Sequence, residues 1–406
     1  DGIYGGGMAI GNSVLNSNGN DAVTTVTNSN ITVDSGTINN LELISIMDAS
    51  KNDNDTENGY PQWNSLGLNA SMAMADLKGI TDETSIAAGG MGMSMTGYSE
   101  VTNANITING GTVEKDILGG GIAVDNMESN SGAYVETSKI TLNSGAVIKG
   151  NVYAGGAVNG TTPEAVYDGK VQSNDKPVVG YDESVKNTTS KVEFSTINLN
   201  GATVDGEISG QGYRLTTVYS DKDDYNPYNG NQYEATYTKD AYNDSVGEST
   251  LEITGNNTLS PLVKEDGKQY TTQNGSKIHS FNIINVKDGS VTTLEGLTTD
   301  SAAIIDATGT FVNVDGSAKL DINALEKGTT ADGNVYKVIS NTGEGDKAWT
   351  DSNLVYDRTE GYATGTEATS GRYDITYKDL ASLSETEKTE AVNDFIGSLG
   401  ENGGNL

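Results

Sequence analysis

Two alternating phrases, and the uneven spacing between their copies, predict an all-β fold: a right-handed parallel β-helix (β-solenoid) with loop insertions and a short C-terminal helix. The first phrase reads ITVDSGTI at Ile31–Ile38, ITINGGTV at Ile106–Val113, ITLNSGAV at Ile140–Val147 and INLNGATV at Ile197–Val204. INVKDGSV at Ile284–Val291 is a looser copy. Each is a short alternating strand, a corner built on Asn or Asp with Ser or Gly, and the start of a second β-branched strand. Alternation with period two buries one face, and the glycine supplies the left-handed conformation that a sharp corner needs.

The second phrase reads IYGGGMAI at Ile3–Ile10, ILGGGIAV at Ile117–Val124 and VYAGGAV at Val152–Val158, with weaker copies at Ile86–Met93 and Ile208–Tyr213. A glycine run inside an apolar segment makes a poor helix and a poor isolated strand. It fits a place where one coil's backbone must approach the next. The copies of the first phrase begin at irregular intervals, which a constant rung carrying loops of variable length explains. No rung buries its apolar face alone, so neighbours stack into one core.

Residues 1–248 read as rungs with long insertions at 48–84, 160–190 and 213–244. Residues 249–378 carry cleaner strands and shorter turns, as expected of a regular portion that closes the stack. In residues 379–406 a helix is expected over 379–399, followed by a linker. Ser384 and Glu387 form a capping box there, and Leu383, Ala391, Val392, Phe395, Ile396 and Leu399 make an apolar stripe.

The 406 residues carry a net charge of −32 and no cysteine. The charge argues against nucleic acid and anionic membranes as partners. The missing cysteines exclude disulfides, thiolate metal sites and cysteine nucleophiles, and they suit export through an oxidising compartment. No signal peptide or apolar transmembrane run is present, yet Asp1 falls beside a repeat phrase. The natural protein is therefore expected to extend upstream or to have been processed.

The alternating phrases resemble the secreted passenger domains of bacterial autotransporters of the type V secretion class, adhesins in particular. The stretch 309–340 looks like the C-terminal passenger segment that folds first, an autochaperone-like portion, and the tail looks like the approach to a pore-threading linker. The resemblance implies a secreted passenger domain at the outer membrane of a diderm bacterium, extracellular or on the cell surface. It also implies tethering through a C-terminal membrane β-barrel that this chain does not contain. A role in cell adhesion and virulence would follow.

Chemistry is sparse. The single histidine, His279, lies in a strand-like SKIHSF segment and reads as structural. Asp205 and Glu207 sit near one another on a rung, as charges at exposed positions often do, and only three arginines exist: Arg214, Arg358 and Arg372. Asp53–Gly59 and Asp221–Asp224 depart from the spacing of a calcium loop. No catalytic residue, metal or cofactor is assigned, and the chain is expected not to be an enzyme. Twenty tyrosines against four phenylalanines are the better signal. Seven lie in one insertion, and Tyr219, Tyr225, Tyr228, Tyr233, Tyr237 and Tyr242 are the candidate ligand-binding residues, because tyrosine offers a large face and a hydroxyl at low entropic cost. A hairpin with tyrosines paired across its strands is the plainer alternative. The leading expectation is an adhesin binding a host-cell or bacterial surface protein or glycan. The alternatives are self-association that aggregates cells into biofilm, and a β-helical polysaccharide lyase or hydrolase.

Overall fold

The computed structural model describes residues 2–10, 22–41, 79–93, 97–124, 131–159, 188–221, 233–263, 271, 275–340, 348–367 and 372–402. The chain is mostly β, and its sheets are largely parallel. Among the described strands, antiparallel pairing is confined to the Gly212–Asp221/Tyr233–Tyr242 hairpin and to Asn334–Ser340, Tyr373–Asp379 and Gly361–Glu367 at the C-terminal end.

One seven-stranded sheet collects the first phrase. Its strands Ala22–Val33, Gly97–Ile108, Gly132–Asn143 and Thr189–Asn200 are each 12 residues long. In-register parallel pairing lines up Ile31, Ile106, Ile140, Ile197, Leu251, Ile284 and Val312 as one buried ladder. Leu251 and Val312 extend the series into units whose phrases had diverged. A ten-stranded sheet faces it with Ile86, Ile117, Val152, Ile208, Ile278 and Ile305, all buried. Fully burying one such side chain stabilises by about 1.5–3 kcal/mol.

The corner glycines of the first phrase adopt the expected geometry: Gly36, Gly111, Gly145 and Gly201 have φ of 97°, 90°, 97° and 85°. The glycine runs solve a packing problem instead. A Cβ on Gly120 would stand 2.5 Å from the Gly156 nitrogen, and one on Gly119 would stand 2.6 Å from Ser138 Oγ. The corners therefore stack glycine on glycine against small serines of the long strands.

After these corners the chain enters a six-stranded sheet through Met8–Ile10, Met91–Met93, Ile122–Val124 and Ala157–Asn159, stacked in parallel. The far face of the ten-stranded sheet and this second sheet enclose a separate core of Ala87, Met91, Leu118, Ile122, Tyr153, Ala157, Tyr213 and Leu215.

The C-terminal helix runs Glu385–Asn402, and the capping box forms, with Ser384 Oγ 2.8 Å from Glu387 Oε2 and accepting from the Glu387 N–H at 3.3 Å. Of the apolar stripe only Leu383, before the helix, is buried and Ala391 is half-buried; Val392, Phe395, Ile396 and Leu399 are exposed. The polar side docks instead, through Asp394 to Tyr356 and Arg358 and through Glu387 to Lys378.

Candidate functional site: a buried polar row beneath the tyrosine hairpin

On four strands of the ten-stranded sheet a charged or amide residue precedes the inward isoleucine or valine, whereas Ser85 and Ile304 hold the corresponding places before Ile86 and Ile305. The four are Asp116, Asn151, Glu207 and Lys277, and all are buried. The Asn151 N–H donates to Asp116 Oδ1 at 2.8 Å, and the Glu207 N–H donates to Asn151 Oδ1 at 2.9 Å. Asp116 and Asn151 thus each satisfy the backbone of the next unit, while Lys277 Nζ donates back to the Asp205 carbonyl at 3.2 Å. Burial corrects the expectation for Glu207: it is fully enclosed, because it occupies the inner side of a strand that has packing on both faces.

The hairpin closes one end of this row. Its register puts Tyr213, Leu215, Lys239 and Tyr237 on the face turned to the core. Lys239 is buried, with Nζ 2.6 Å from Asp116 Oδ2 and 4.0 Å from Glu83. The ammonium also sits 4.4 Å from the Tyr213 ring centroid, a cation–π geometry. Burial opposes its charge, but Asp116 foremost, with Tyr213 and Glu83, holds the ammonium above the usual lysine range.

The other end of the row centres on Glu207. Its Oε1 accepts from Tyr153 OH at 2.6 Å, from Thr271 Oγ1 at 2.8 Å and from the Thr271 N–H at 3.0 Å. Its Oε2 lies 3.3 Å from His279 Nε2, and His279 Nδ1 lies 2.9 Å from Ser280 Oγ. Burial pushes the Glu207 carboxyl up. His279, then Tyr153 and the Thr271 N–H, overcome that and bring it down to about 2. The Tyr153 and Tyr213 rings, 5.0 Å apart, bridge the two ends.

The tyrosine candidates are distributed unevenly. Tyr225 and Tyr228 lie outside the described residues. Tyr219 and Tyr233 belong to the hairpin strands, opposite Ala235 and Asp221. Tyr237 is half-buried against the second core, where a Cβ on Gly79 would meet its ring at 2.4 Å. Tyr242 is half-buried on the opposite hairpin face, beneath the Arg214 guanidinium at 5.3 Å. The hairpin forms, yet no described tyrosine pairs with another directly across it.

Other chemistry is limited. Arg214 lies over Tyr242, while Arg358 and Arg372 bond Asp394 and Asp374. Among the described residues no group of three or more His, Cys, Asp or Glu could hold a metal. No helix among them is long and apolar enough to cross a membrane. The Asp53–Gly59 segment and Asp223 and Asp224 lie outside the described residues. A pocket of about 420 Å³ between the C-terminal hairpin and helix is lined by Asp332, Tyr362, Lys378, Glu387 and Glu390 among others, and its lysine is already paired to Glu387 at 2.6 Å.

Sequence reasoning passed over Asp116, Asn151 and Lys239; it read Glu207 as an exposed charge beside Asp205 and His279 as structural, and it did not connect the two. The available signal was a polar residue just before three copies of the second phrase, in KDIL, GNVY and GEIS, repeated in SKIH. Compared with known proteins, the chain matches no protein family, no curated protein and no solved structure.

Proposed function

We propose that this chain is a right-handed parallel β-helix serving as an autotransporter-type adhesin, a rigid stack that presents variable loops to a surface protein or glycan of a host or neighbouring cell. One observation carries the reading. The segments joining the six-stranded to the seven-stranded sheet, 11–21, 94–96, 125–130 and 160–187, all spring from one stacked column of strand ends. They differ several-fold in length, while the strands that receive them stay at 12 residues. Constant scaffold with variable loops on one edge is how rigid folds carry recognition. A chain of net charge −32 also stays soluble at a cell surface. In this setting the protein acts outside a diderm bacterium.

The test is to replace 160–187 with a short Gly/Ser bridge and to measure binding to host cells and glycan arrays beside thermal stability. Loss of binding at unchanged melting temperature is expected. Unchanged binding after removal of each segment in turn would defeat the proposal. Self-association is the second reading, and the strand Ala22–Val33 favours it. It is 12 residues long, lies at the edge of its sheet and contains no charge, a composition that does little to block pairing with another chain. Sedimentation across a concentration series separates the two readings.

A further inference from the structure

The geometry points to a hydrolytic site for small acyl esters at Ser280, with Ser280 as nucleophile, His279 as general base and Glu207 as the positioning carboxylate. The proposal is independent of the adhesin reading.

The three groups form a continuous relay. An ionised Glu207 can only accept hydrogen bonds, so the contact at Oε2 places the imidazole proton on Nε2. In the neutral imidazole that leaves a lone pair on Nδ1, which can accept from the Ser280 hydroxyl 2.9 Å away. The tautomer is the one a serine hydrolase requires, with the two ring nitrogens exchanging their usual roles. Glu207 stays ionised because His279, Tyr153 and Thr271 all stabilise its charged form.

Ser280 is also out of place for a structural residue. The corner column reads Gly5, Ala88, Gly119, Ala154, Gly210, Ser280 and Ala307, the residues that follow the first seven strands of the ten-stranded sheet, from Ile3–Tyr4 to Ile305–Asp306. Position 280 alone carries a hydroxyl, directly after the chain's only histidine. Its φ is 62°, one of two positive values at non-glycine positions among the described residues. Such strain concentrates at functional positions. His279 and Glu207 are buried while Ser280 is half-buried, so the nucleophile is the member that meets solvent.

The chemistry balances with water alone. Ser280 Oγ attacks the ester carbonyl carbon as its proton passes to His279 Nδ1. The C–O bond to the leaving alkoxide breaks, and that oxygen takes the proton from Nδ1. The acyl-Ser280 ester is then attacked by water, whose proton passes to Nδ1 and back to Ser280 Oγ as the carboxylic acid departs.

The full chain should be treated with a fluorophosphonate probe, mapped by peptide mass, and assayed with p-nitrophenyl acetate. Ser280→Gly supplies the background, since glycine accepts the left-handed backbone and preserves the corner. Labelling at Ser280 is expected, with turnover falling about 10²- to 10⁴-fold in Ser280→Gly and His279→Gln. Glu207→Gln should lower kcat while leaving KM near the wild-type value, a split that a merely structural role would not produce; circular dichroism verifies that each variant is folded. Probe and ester reacting with wild type no faster than with Ser280→Gly would overturn the proposal and leave a satisfied packing histidine.

Discussion

Between the seven-stranded and ten-stranded sheets the chain buries Ile106, Ile140, Ile197 and Leu251 in register, while beneath the hairpin it buries Asp116, Lys239, Glu207 and His279 beside Tyr153 and Tyr213. The two interiors share the same strands, since Ile117 points one way and Asp116 and Leu118 the other. The first is held by area removed from water, which is non-directional and tolerant of similar side chains. The second depends on charges and hydrogen bonds that must all be met at once, because an unpaired buried charge is far more costly than a lost methyl group. The first interior is therefore robust position by position, and the second is brittle.

The largest expected effect follows from that brittleness. Asp116→Ala strands the Lys239 ammonium and should cost about 3–5 kcal/mol. Combining it with Lys239→Met should recover much of the loss, because no charge then remains to be solvated. Ile140→Ala in the first interior should cost about 2–5 kcal/mol through its cavity, with no single partner able to rescue it. Urea denaturation measures all three. A double variant no more stable than Asp116→Ala would show that the pair is not what makes the second interior sensitive.

Acid provides the next contrast. Glu207 has a folded pKa of about 2 against an ordinary 4.5. A depressed carboxyl contributes stability that is fully present above its unfolded pKa and is lost as pH falls through the folded value. The window is thus from about 4.5 down to about 2, and the full contribution is on the order of 3 kcal/mol. Denaturation midpoints for wild type and Glu207→Gln should differ by a constant amount above about pH 5 and converge below it. A gap that stays constant down to pH 2.5 would place the ionised form of Glu207 outside the stability balance.

The contrast also explains what was legible in advance. Isoleucine at every second position and glycine at a fixed offset announce a strand, a corner and one buried face, and Gly111 and Gly145 adopt the left-handed backbone they imply. The ladder could be followed only while its copies kept their glycines, so the units at Leu251 and Val312 passed as plain strands. The second interior is assembled by tertiary contact: Asp116 and Lys239 are 123 residues apart. No period connects them, and a lysine between tyrosines in TYTKDAY looks solvated. The helix and its cap were legible, although the chain becomes α-helical at Glu385 and not at 379. The helix's stripe was visible, but the stripe's destination depended on Asp394, Arg358 and Tyr356 pairing on the other side.

The smallest expected effect lies within the hairpin itself, and it divides that segment into a part that stabilises and a part free to recognise. Asp221 and Tyr233 are register partners, so the strands have already come together where 222–232 begins and ends. Replacing 222–232 with Asn-Gly, which favours the two-residue turn such strands accept, shortens the connection without touching Leu215, Tyr237 or Lys239. Closure entropy changes by only roughly 0.6 kcal/mol per doubling of loop length, so the melting temperature should hardly move. Extending the deletion to 219–243 removes Lys239 and Tyr237 and uncovers Asp116, and it should cost as much as Asp116→Ala or more. Adhesion lost in the short deletion would assign recognition to the segment containing Tyr225 and Tyr228. Adhesion retained there would move it to the column of segments led by 160–187. Equal melting temperatures for the short and long deletions would mean that the hairpin does not close the second interior at all.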